Sequence, residues 1–253
     1  MNMMQQTIAC GGLFLLSTVT QADTILGVYA GVGNWNTGTD GSFSSQGDSI
    51  DVVSDLGFDD ESQNFIYAAL EHPIPFLPNI KLSKTDLDNQ AISDLPTTID
   101  FEGKKFNASD RVDTKLDLSH TDVVLYYEVL DNWVSLDLGL TARNFTGEAR
   151  LNAAALSRVA ESEIEGWIPL GYVKAQFDLP FTGFYAGGEV HALAFDDNGI
   201  TDYSVRVGYE SMFRVGAELG YRKMSLELED VDNGSFRSDL NIDGVYLSLT
   251  LHI

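Results

Sequence analysis

The chain contains almost no cysteine. Only Cys10, within an apolar stretch from Ile8 to Val19, is a cysteine among the 253 residues. A stretch of this length followed by the small residue Ala22 is typical of a secretory signal peptide. We therefore predict a signal peptide over residues 1–22 and a mature chain over residues 23–253. The mature chain then has no cysteine, which excludes disulfides, thiolate metal sites and cysteine nucleophiles.

Long apolar runs are also missing from the mature chain. No run of about 18 apolar residues, the minimum for a membrane-spanning helix, occurs after the signal peptide. A closed β-barrel is the other structure that leaves no backbone group unpaired in lipid. If the mature chain is integral to a membrane, it must therefore cross it as a barrel.

Positive charge is scarce. Lys and Arg number 15 against 38 Asp and Glu, which gives a formal net charge of −23. A surface of this sign repels phosphate groups, so we expect neither DNA nor RNA as a partner.

What is present is strict alternation of apolar and polar residues, clearest over the last ten residues. Successive strand side chains point to opposite faces, so alternation gives a strand one apolar and one polar face. The apolar face consists of Val245, Leu247, Leu249, Leu251 and Ile253, and the polar face of Gly244, Tyr246, Ser248, Thr250 and His252. This pattern predicts the closing strand of a membrane barrel, although Ile253 stands where such barrels most often end in Phe.

Similar alternating segments recur along most of the mature chain. They predict an all-β, transmembrane, antiparallel up-and-down barrel of about ten strands, with eight as the alternative. The connections alternate between short turns and long polar loops, as in outer-membrane barrels with long external loops. The long polar loops are residues 36–62, 86–119 and 146–166.

Two local features interrupt the pattern. Residues Ala149 to Ile164 have helical composition, so we predict a short helix in that external loop. The apolar phase changes near Arg222 and Lys223. We interpret that change as a bulge or as the point where the strand leaves the lipid.

Aromatic residues lie near the predicted strand ends. Amphipathic rings form belts at the two membrane interfaces, so these positions predict such belts. The residues are Trp35, Trp133, Trp167, Phe181, Phe184, Tyr185 and Phe213.

Charges of both signs fall on the inward face. Mixed charges in a narrow barrel predict a packed ionic core, whereas a selective pore would show one dominant sign. The candidates for this lumen network are Asp137, Arg143, Lys174, Glu189, His191, Arg206, Glu218 and Arg222. Other inward charges are Glu71, Lys81, Asp122, Glu128 and Asp178.

The predicted loops carry most of the acidic residues. Clustered carboxylates could hold Ca²⁺ or Mg²⁺ and bridge to lipopolysaccharide phosphates, but a solvated acidic surface explains them more simply. They are Asp40, Asp48, Asp51, Asp55, Asp59, Asp60, Glu61, Asp94, Asp100, Glu102, Asp110, Asp113 and Asp117. The segment from Asp230 to Gly234 is interpreted as a hairpin turn, and no metal or cofactor is predicted.

No catalytic motif is present, and we expect the protein not to be an enzyme. One alternative is a lipid A hydrolase, since His191 and Glu189 share an inward face and His120 follows Ser119. Catalytic groups would then have to reach the lipid-facing wall, whereas His191 is predicted to point inward. Another alternative is a soluble periplasmic barrel that binds an apolar ligand, with apolar residues inside and polar ones outside.

Short motifs carry a family resemblance. They are Thr24-Ile-Leu-Gly-Val-Tyr-Ala-Gly, Asp51-Val-Val-Ser-Asp-Leu-Gly-Phe, Phe184-Tyr-Ala-Gly-Gly, Gly220-Tyr-Arg and the closing strand. With the signal peptide, they resemble a family of uncharacterised proteobacterial outer-membrane proteins with a Gly-Gly signature. The resemblance implies an outer-membrane barrel and no particular activity or site residues.

These patterns predict a protein exported to the outer membrane of a Gram-negative cell. Its expected partners are outer-membrane lipid, lipopolysaccharide and the barrel-insertion machinery. Its expected role is structural, or the passage or binding of a small solute by the loops and lumen.

Overall fold

A computed structural model of the protein describes residues 26–196, 198–230 and 236–253. The predicted signal peptide and most of the predicted 230–234 turn lie outside these ranges. In the described residues, no helix has the length and hydropathy needed to cross a membrane.

The described chain is almost entirely β-strand. Its only helical element is a 3-10 turn at Ala154–Leu156. The strands are β1 (Gly27–Ser45), β2 (Ile50–Asp51), β3 (Glu61–Glu71), β4 (Asn79–Thr85), β5 (Asp88–Asp94), β6 (Ile99–Phe101), β7 (Lys104–Phe106), β8 (Arg111–Asp117), β9 (His120–Leu130), β10 (Val134–Ala153), β11 (Arg158–Asp178), β12 (Phe184–Phe195), β13 (Asn198–Glu210), β14 (Val215–Asp230) and β15 (Phe236–His252).

Ten of these strands close into an antiparallel barrel, which confirms the predicted architecture and strand number. Their order around the barrel is β1, β3, β4, β9, β10, β11, β12, β13, β14 and β15. Pairing of β15 with β1 closes the ring. The backbones of Val28 and Ile253 exchange hydrogen bonds of 2.8 and 2.9 Å at the end of that seam.

One end of the barrel carries only short connections. The turns there are residues 72–78, 131–133, 179–183 and 211–214, and β1 begins and β15 ends at the same end. We call it the short-turn end. The opposite end carries residues 46–60 and 86–119.

Strand lengths divide the molecule into two levels. A membrane-spanning strand needs about 9–11 residues, and β3 and β9 have 11 each. By contrast β1, β10 and β11 have 19, 20 and 21 residues, so they extend well beyond that level. We call the part near the short turns the basal barrel, and the strand extensions together with β2 and β5–β8 the distal head.

The distal head is more ordered than the sequence predicted. The sequence predicts loops at residues 36–62 and 146–166. Residues 36–45, 61–62 and most of 146–166 instead continue barrel strands, whereas residues 46–60 form a connection that contains only the short strand β2. Residues 86–119 contain four strands, in which β8 pairs with both β10 and β5, and β6 pairs with β7. The pairing of β8 with β10 depends on a distant partner, which a local pattern cannot reveal.

The short helix predicted within residues 149–164 is reduced to the 3-10 turn at Ala154–Leu156, and the rest of the segment is almost entirely strand. Strands β10 and β11 pair without interruption, from the pairing of Val134 with Phe177 to the pairing of Ala153 with Arg158. The inward residues Ala149, Leu151 and Ala160 are buried in the head. Burial of alternate residues therefore overrides the helical propensity of this composition.

Arg222 lies where the interior of the barrel changes character. The register of β14 with β15 is continuous through this point, so there is no bulge. Arg222, Met224 and Leu226 share the inward face. The apparent phase change therefore reflects an interior that is polar in the basal barrel and apolar in the head.

The distal head has its own hydrophobic core. Side chains from the strand extensions and from residues 50–118 meet there and are nearly inaccessible to solvent. The core includes Phe43, Ile50, Val52, Leu56, Phe58, Leu87, Leu95, Ile99, Phe101, Phe106, Val112, Leu116, Leu118, Leu151, Ala153 and Ala160. Burial of these side chains is the main source of the head's stability.

The basal barrel has the opposite distribution, with an apolar outer surface. The exposed aliphatic residues there include Val28, Val32, Ile66, Leu70, Leu82, Leu125, Val129, Leu138, Leu140, Val173, Val190, Val205, Val207, Leu219, Val245, Leu247, Leu249 and Leu251. A continuous exposed apolar band is unusual on a soluble monomer and typical of a lipid-facing wall.

Exposed aromatic residues flank this band. Trp133, Phe181, Phe184 and Phe213 lie at the short-turn end, and Trp167 lies near the distal head. The belt assignment is wrong for two residues that point inward. Trp35 is fully buried. The hydroxyl of Tyr185 donates to Glu218 in the lumen.

Candidate functional site

A cavity of about 510 Å³ lies inside the basal barrel. It reaches the short-turn end, where Pro180, Phe181 and His252 line it, and extends inward to Arg222. Its charged lining consists of eight acids, Glu71, Asp122, Glu128, Asp178, Glu189, Asp202, Glu210 and Glu218, and four bases, Lys81, Lys174, Arg206 and Arg222.

The inner end of the cavity is closed by a layer of buried charges. Arg143 on β10 is 0 % exposed, and its Nε and Nη2 donate to the two carboxylate oxygens of Asp122 on β9, both at 2.8 Å. The same Nη2 donates to Oδ2 of Asp202 on β13 at 2.7 Å. Because β13 is three strands away from β10 around the barrel, this bond joins two parts of the wall that are not adjacent.

Arg222 completes this ionic layer. Its Nε and Nη2 donate to the two oxygens of Asp202 at 2.9 and 2.7 Å. Its Nη1 donates to the Thr85 hydroxyl at 3.1 Å, and Nη2 lies 3.4 Å from Nε2 of His120. We define the ionic layer as Thr85, His120, Asp122, Arg143, Asp202 and Arg222.

Apolar residues cover the distal side of the ionic layer. Trp35 lies over the guanidinium of Arg222, with Cζ 4.7 Å from the ring centroid. Met224 Sδ lies 3.5 Å from Nη1 of Arg143. Trp35 and Met224 belong to the core of the head, so the lumen ends where that core begins.

The other lumen candidates form separate pairs nearer the short-turn end. Lys81 bonds to Glu189 across the lumen at 2.7 Å. Lys174 bonds to Asp137 at 3.1 Å on the neighbouring strand. Arg206 lies 3.1 Å from Glu218, which also accepts bonds of 2.9 Å from Tyr185 and Ser248.

Neither buried histidine has a catalytic arrangement. Nδ1 of His191 bonds to the Thr141 hydroxyl at 2.8 Å, and its Nε2 lies 3.9 Å from Glu189. Nδ1 of His120 bonds to the Leu118 carbonyl at 2.9 Å. Both rings face the interior, and within the described ranges neither is hydrogen-bonded to a serine hydroxyl that could act as a nucleophile.

Sequence reasoning did not identify Asp202, which contacts both arginines of the ionic layer. Its sequence signal was its position, since it lies on the same face of β13 as Arg206, four residues away. The hydrogen-bond partners of Asp202 could not be foreseen, because Arg143 approaches it from across the lumen.

Tyrosines opposite glycines form a second feature that the sequence did not reveal. Tyr67 pairs directly with Gly31, Tyr185 with Gly208, and Tyr246 with Gly220 on adjacent strands. In each pair the tyrosine ring occupies the space where a Cβ on the glycine would lie. The rings therefore lie flat against the wall, where glycine leaves room for them, and the cavity remains open.

We expect Gly208→Ala to destabilise the barrel by about 1–3 kcal/mol, because overpacking forces neighbouring side chains to move. The new methyl group would overlap the Tyr185 ring and disrupt its bond to Glu218. The measurement is urea unfolding of the protein in lipid vesicles. Gly199→Ala on the same strand is the control, since its nearest non-adjacent atom would be 3.7 Å away. Equal losses in the two variants would contradict this account.

The acidic residues of the distal head bond within the protein. The backbone N–H of Ser54 donates to Asp51, which lowers the pKa of that carboxyl group. Lys115 donates to Glu148 at 3.0 Å, and this bond raises the pKa of Lys115. Within the described ranges, no group of three or more His, Cys, Asp or Glu residues is arranged to hold a metal ion.

The chain matches no protein-family profile and no curated protein, and it is similar at low TM-scores to several outer-membrane proteins of known structure. The outer membrane protease OmpT from Escherichia coli is 9% identical, with a TM-score of 0.43 over 89% of this chain and 95% of that chain. The transport unit of the autotransporter AIDA-I from Escherichia coli is 9% identical, with a TM-score of 0.42 over 95% and 92%. A Pseudomonas aeruginosa FadL homologue is 12% identical, with a TM-score of 0.35 over 89% and 90%. These similarities concern the barrel fold alone, and the resemblance to a family with a Gly-Gly signature remains a prediction.

Proposed function

We propose that this chain is an integral outer-membrane barrel whose blind lumen binds a small solute without conducting it. The exposed apolar band and the aromatic residues at its two edges support insertion in a bilayer. Outer-membrane barrels have short turns on the periplasmic side. The cavity then opens to the periplasm, and the distal head lies outside the cell.

One observation carries this proposal: the cavity is open at the short-turn end and closed at the other. Arg143 and Trp35 are both fully buried at the closed end, with the core of the head beyond them. A conducting pore needs a continuous polar path. Solute binding is therefore favoured over solute passage.

The alternative functions have weaker support. A soluble barrel with an apolar ligand would be apolar inside, but the basal barrel is polar inside and apolar outside. A lipid A hydrolase would need catalytic groups at the lipid-facing wall, but His120 and His191 are held inside by other bonds. We accordingly propose a binding role without catalysis.

The partners follow from this placement. The apolar band would contact outer-membrane lipid, and the barrel-insertion machinery would assemble the strands. The acidic distal head would face lipopolysaccharide, with divalent cations bridging its carboxylates to phosphates.

Site-directed labelling tests the blind lumen, and the predicted lack of cysteine in the mature chain makes it direct. Gln176→Cys, in the cavity wall, is expected to react with a bulky maleimide only after the outer membrane is permeabilised. Glu163→Cys, on the exposed face of the distal head, is the control and should react in intact cells.

Reaction of both cysteines in intact cells would contradict a lumen closed toward the outside. Recovery of the protein in the soluble periplasmic fraction would contradict membrane insertion. Purified wild-type protein in planar bilayers should add no stepwise conductance, and regular single-channel steps would overturn the proposal of a blind lumen.

A further inference from the structure

The cavity has an excess of negative charge. Its lining carries eight acids and four bases, a net charge of −4. The four bases are already engaged: Lys81 with Glu189, Lys174 with Asp137, Arg206 with Glu218 and Arg222 with Asp202. The surplus acids therefore favour a cationic occupant over an anionic one.

The surplus is concentrated near the opening. Glu71 accepts a hydrogen bond from Tyr126 at 2.9 Å, and Glu128 accepts one from Asn79 at 3.3 Å. Neither contact supplies a positive charge. Glu128 lies opposite Asp137 on the adjacent strand. Oδ1 of Asp137 is buried and has no hydrogen-bond partner in the described structure.

Tyrosine rings supply a second attraction for cations. One face of each of Tyr67, Tyr185 and Tyr246 lies against glycine, and all three residues line the cavity. The face of an aromatic ring carries partial negative charge and attracts ammonium groups. The protein already uses one such face, since Nζ of Lys81 lies 5.1 Å from the Tyr67 ring centroid.

We propose that the cavity binds a small organic cation, an alkylammonium or quaternary ammonium compound, and this proposal rests on the solute-binding function above. The volume of about 510 Å³ is within the range of small-molecule sites. Carboxylates near the opening balance the charge of the ligand, and tyrosine faces contact its alkyl groups.

Calorimetry on the purified barrel tests the ligand class with two matched probes. Choline is the cation, and 3,3-dimethyl-1-butanol has the same shape with carbon in place of the charged nitrogen. We expect choline to bind at least tenfold more tightly than the alcohol, because the alcohol lacks the ionic and cation–π interactions. Raising the salt concentration should weaken choline binding, because these charges are partly screened.

Variants that neutralise single carboxylates test where choline binds in the cavity. Glu71→Gln and Glu128→Gln should each weaken choline binding about tenfold, because each removes one carboxylate at nearly constant shape. Glu163→Gln, which removes an equal charge from the distal head, should leave binding unchanged. Equal weakening by all three variants would indicate a general effect of net charge and would overturn the site.

The outcomes separate the ligand class from the function itself. Equal binding of choline and the alcohol, tighter binding of acetate, or binding of CaCl₂ without choline would overturn the organic-cation proposal while leaving solute binding intact. If choline, the alcohol, acetate and CaCl₂ all fail to bind, the solute-binding function is also wrong.

Discussion

Replacing Arg143 with alanine is expected to lower the free energy of unfolding by about 3–5 kcal/mol, the usual cost of removing one partner from a buried ion pair. The side chain is 0 % exposed and bonds to both Asp122 and Asp202. Asp202 keeps Arg222 at 2.7 Å, but Asp122 loses its only ion-pair partner in the described structure. Most of the cost therefore arises from the charge left on Asp122.

This origin of the cost can be tested separately. The double variant Arg143→Met/Asp122→Asn removes the unpaired charge and fills part of the space with apolar atoms. It should recover at least about 1 kcal/mol relative to Arg143→Met, because buried ion pairs can be replaced at low cost when both partners change. Failure to recover any stability would show that packing, and not the uncompensated charge, dominates the loss.

An exposed ion pair provides the matched control. Lys84 bonds to Asp86 at 2.8 Å, but their side chains are 61% and 51% exposed. Lys84→Ala should change the free energy of unfolding by less than about 1 kcal/mol. Urea unfolding in lipid vesicles, followed by tryptophan fluorescence, measures all four variants. A loss for Arg143→Ala no larger than that for Lys84→Ala would contradict the buried ionic layer.

The basal barrel could be predicted because each of its strands faces lipid on one side and the polar lumen on the other. Lipid outside requires apolar residues, the lumen accepts polar ones, and a strand must alternate between them. Leu247 and Leu249 against Tyr246 and Ser248 show this alternation, and the same rule identified Arg143 and Arg222 as inward. Strand number and the faces of these residues follow from local sequence alone.

The distal head could not be predicted in the same way. Its strands also alternate, but with apolar residues inside, as in Leu151 and Ala153. Alternation does not say which face is covered, because that depends on segments distant in sequence. Phe101 and Phe106, which help to cover these strands, lie in a segment that the polar composition of residues 86–119 suggested was a loop.

Aromatic position alone was also insufficient. Trp35 and Trp167 both lie near the junction of the two levels, yet one is buried inside and the other is 63% exposed. Burial depends on the face of the strand on which each tryptophan lies, and Trp35 shares the inward face with Gly31 and Gly33. The sequence also could not show which charged residues pair, because Asp202 and Arg143 come into contact only in the closed barrel.

Replacing Trp35 with alanine is expected to cost about 3–5 kcal/mol of unfolding free energy, as for other large side chains removed from a core. The indole is 0 % exposed, its Nε1 donates to the Gly244 carbonyl at 3.2 Å, and its ring lies over Arg222. The variant would leave a void between the ionic layer and the core of the head. It would also remove the cation–π contact that helps to hold Arg222.

Trp167→Ala is the matched control for Trp35→Ala, because it removes the same side chain from the outer surface. Trp167→Ala removes one exposed ring at the membrane interface, so the expected decrease in the free energy of unfolding is smaller than for Trp35→Ala. The same urea titration in vesicles applies, with Trp133 present as a fluorescent reporter in both variants. Equal losses would mean that Trp35 behaves as a belt residue, and the closure of the lumen by an apolar core would then be wrong. A loss confined to Trp35→Ala would instead support a barrel whose lumen is sealed from the distal side by the ionic layer and the apolar core behind it.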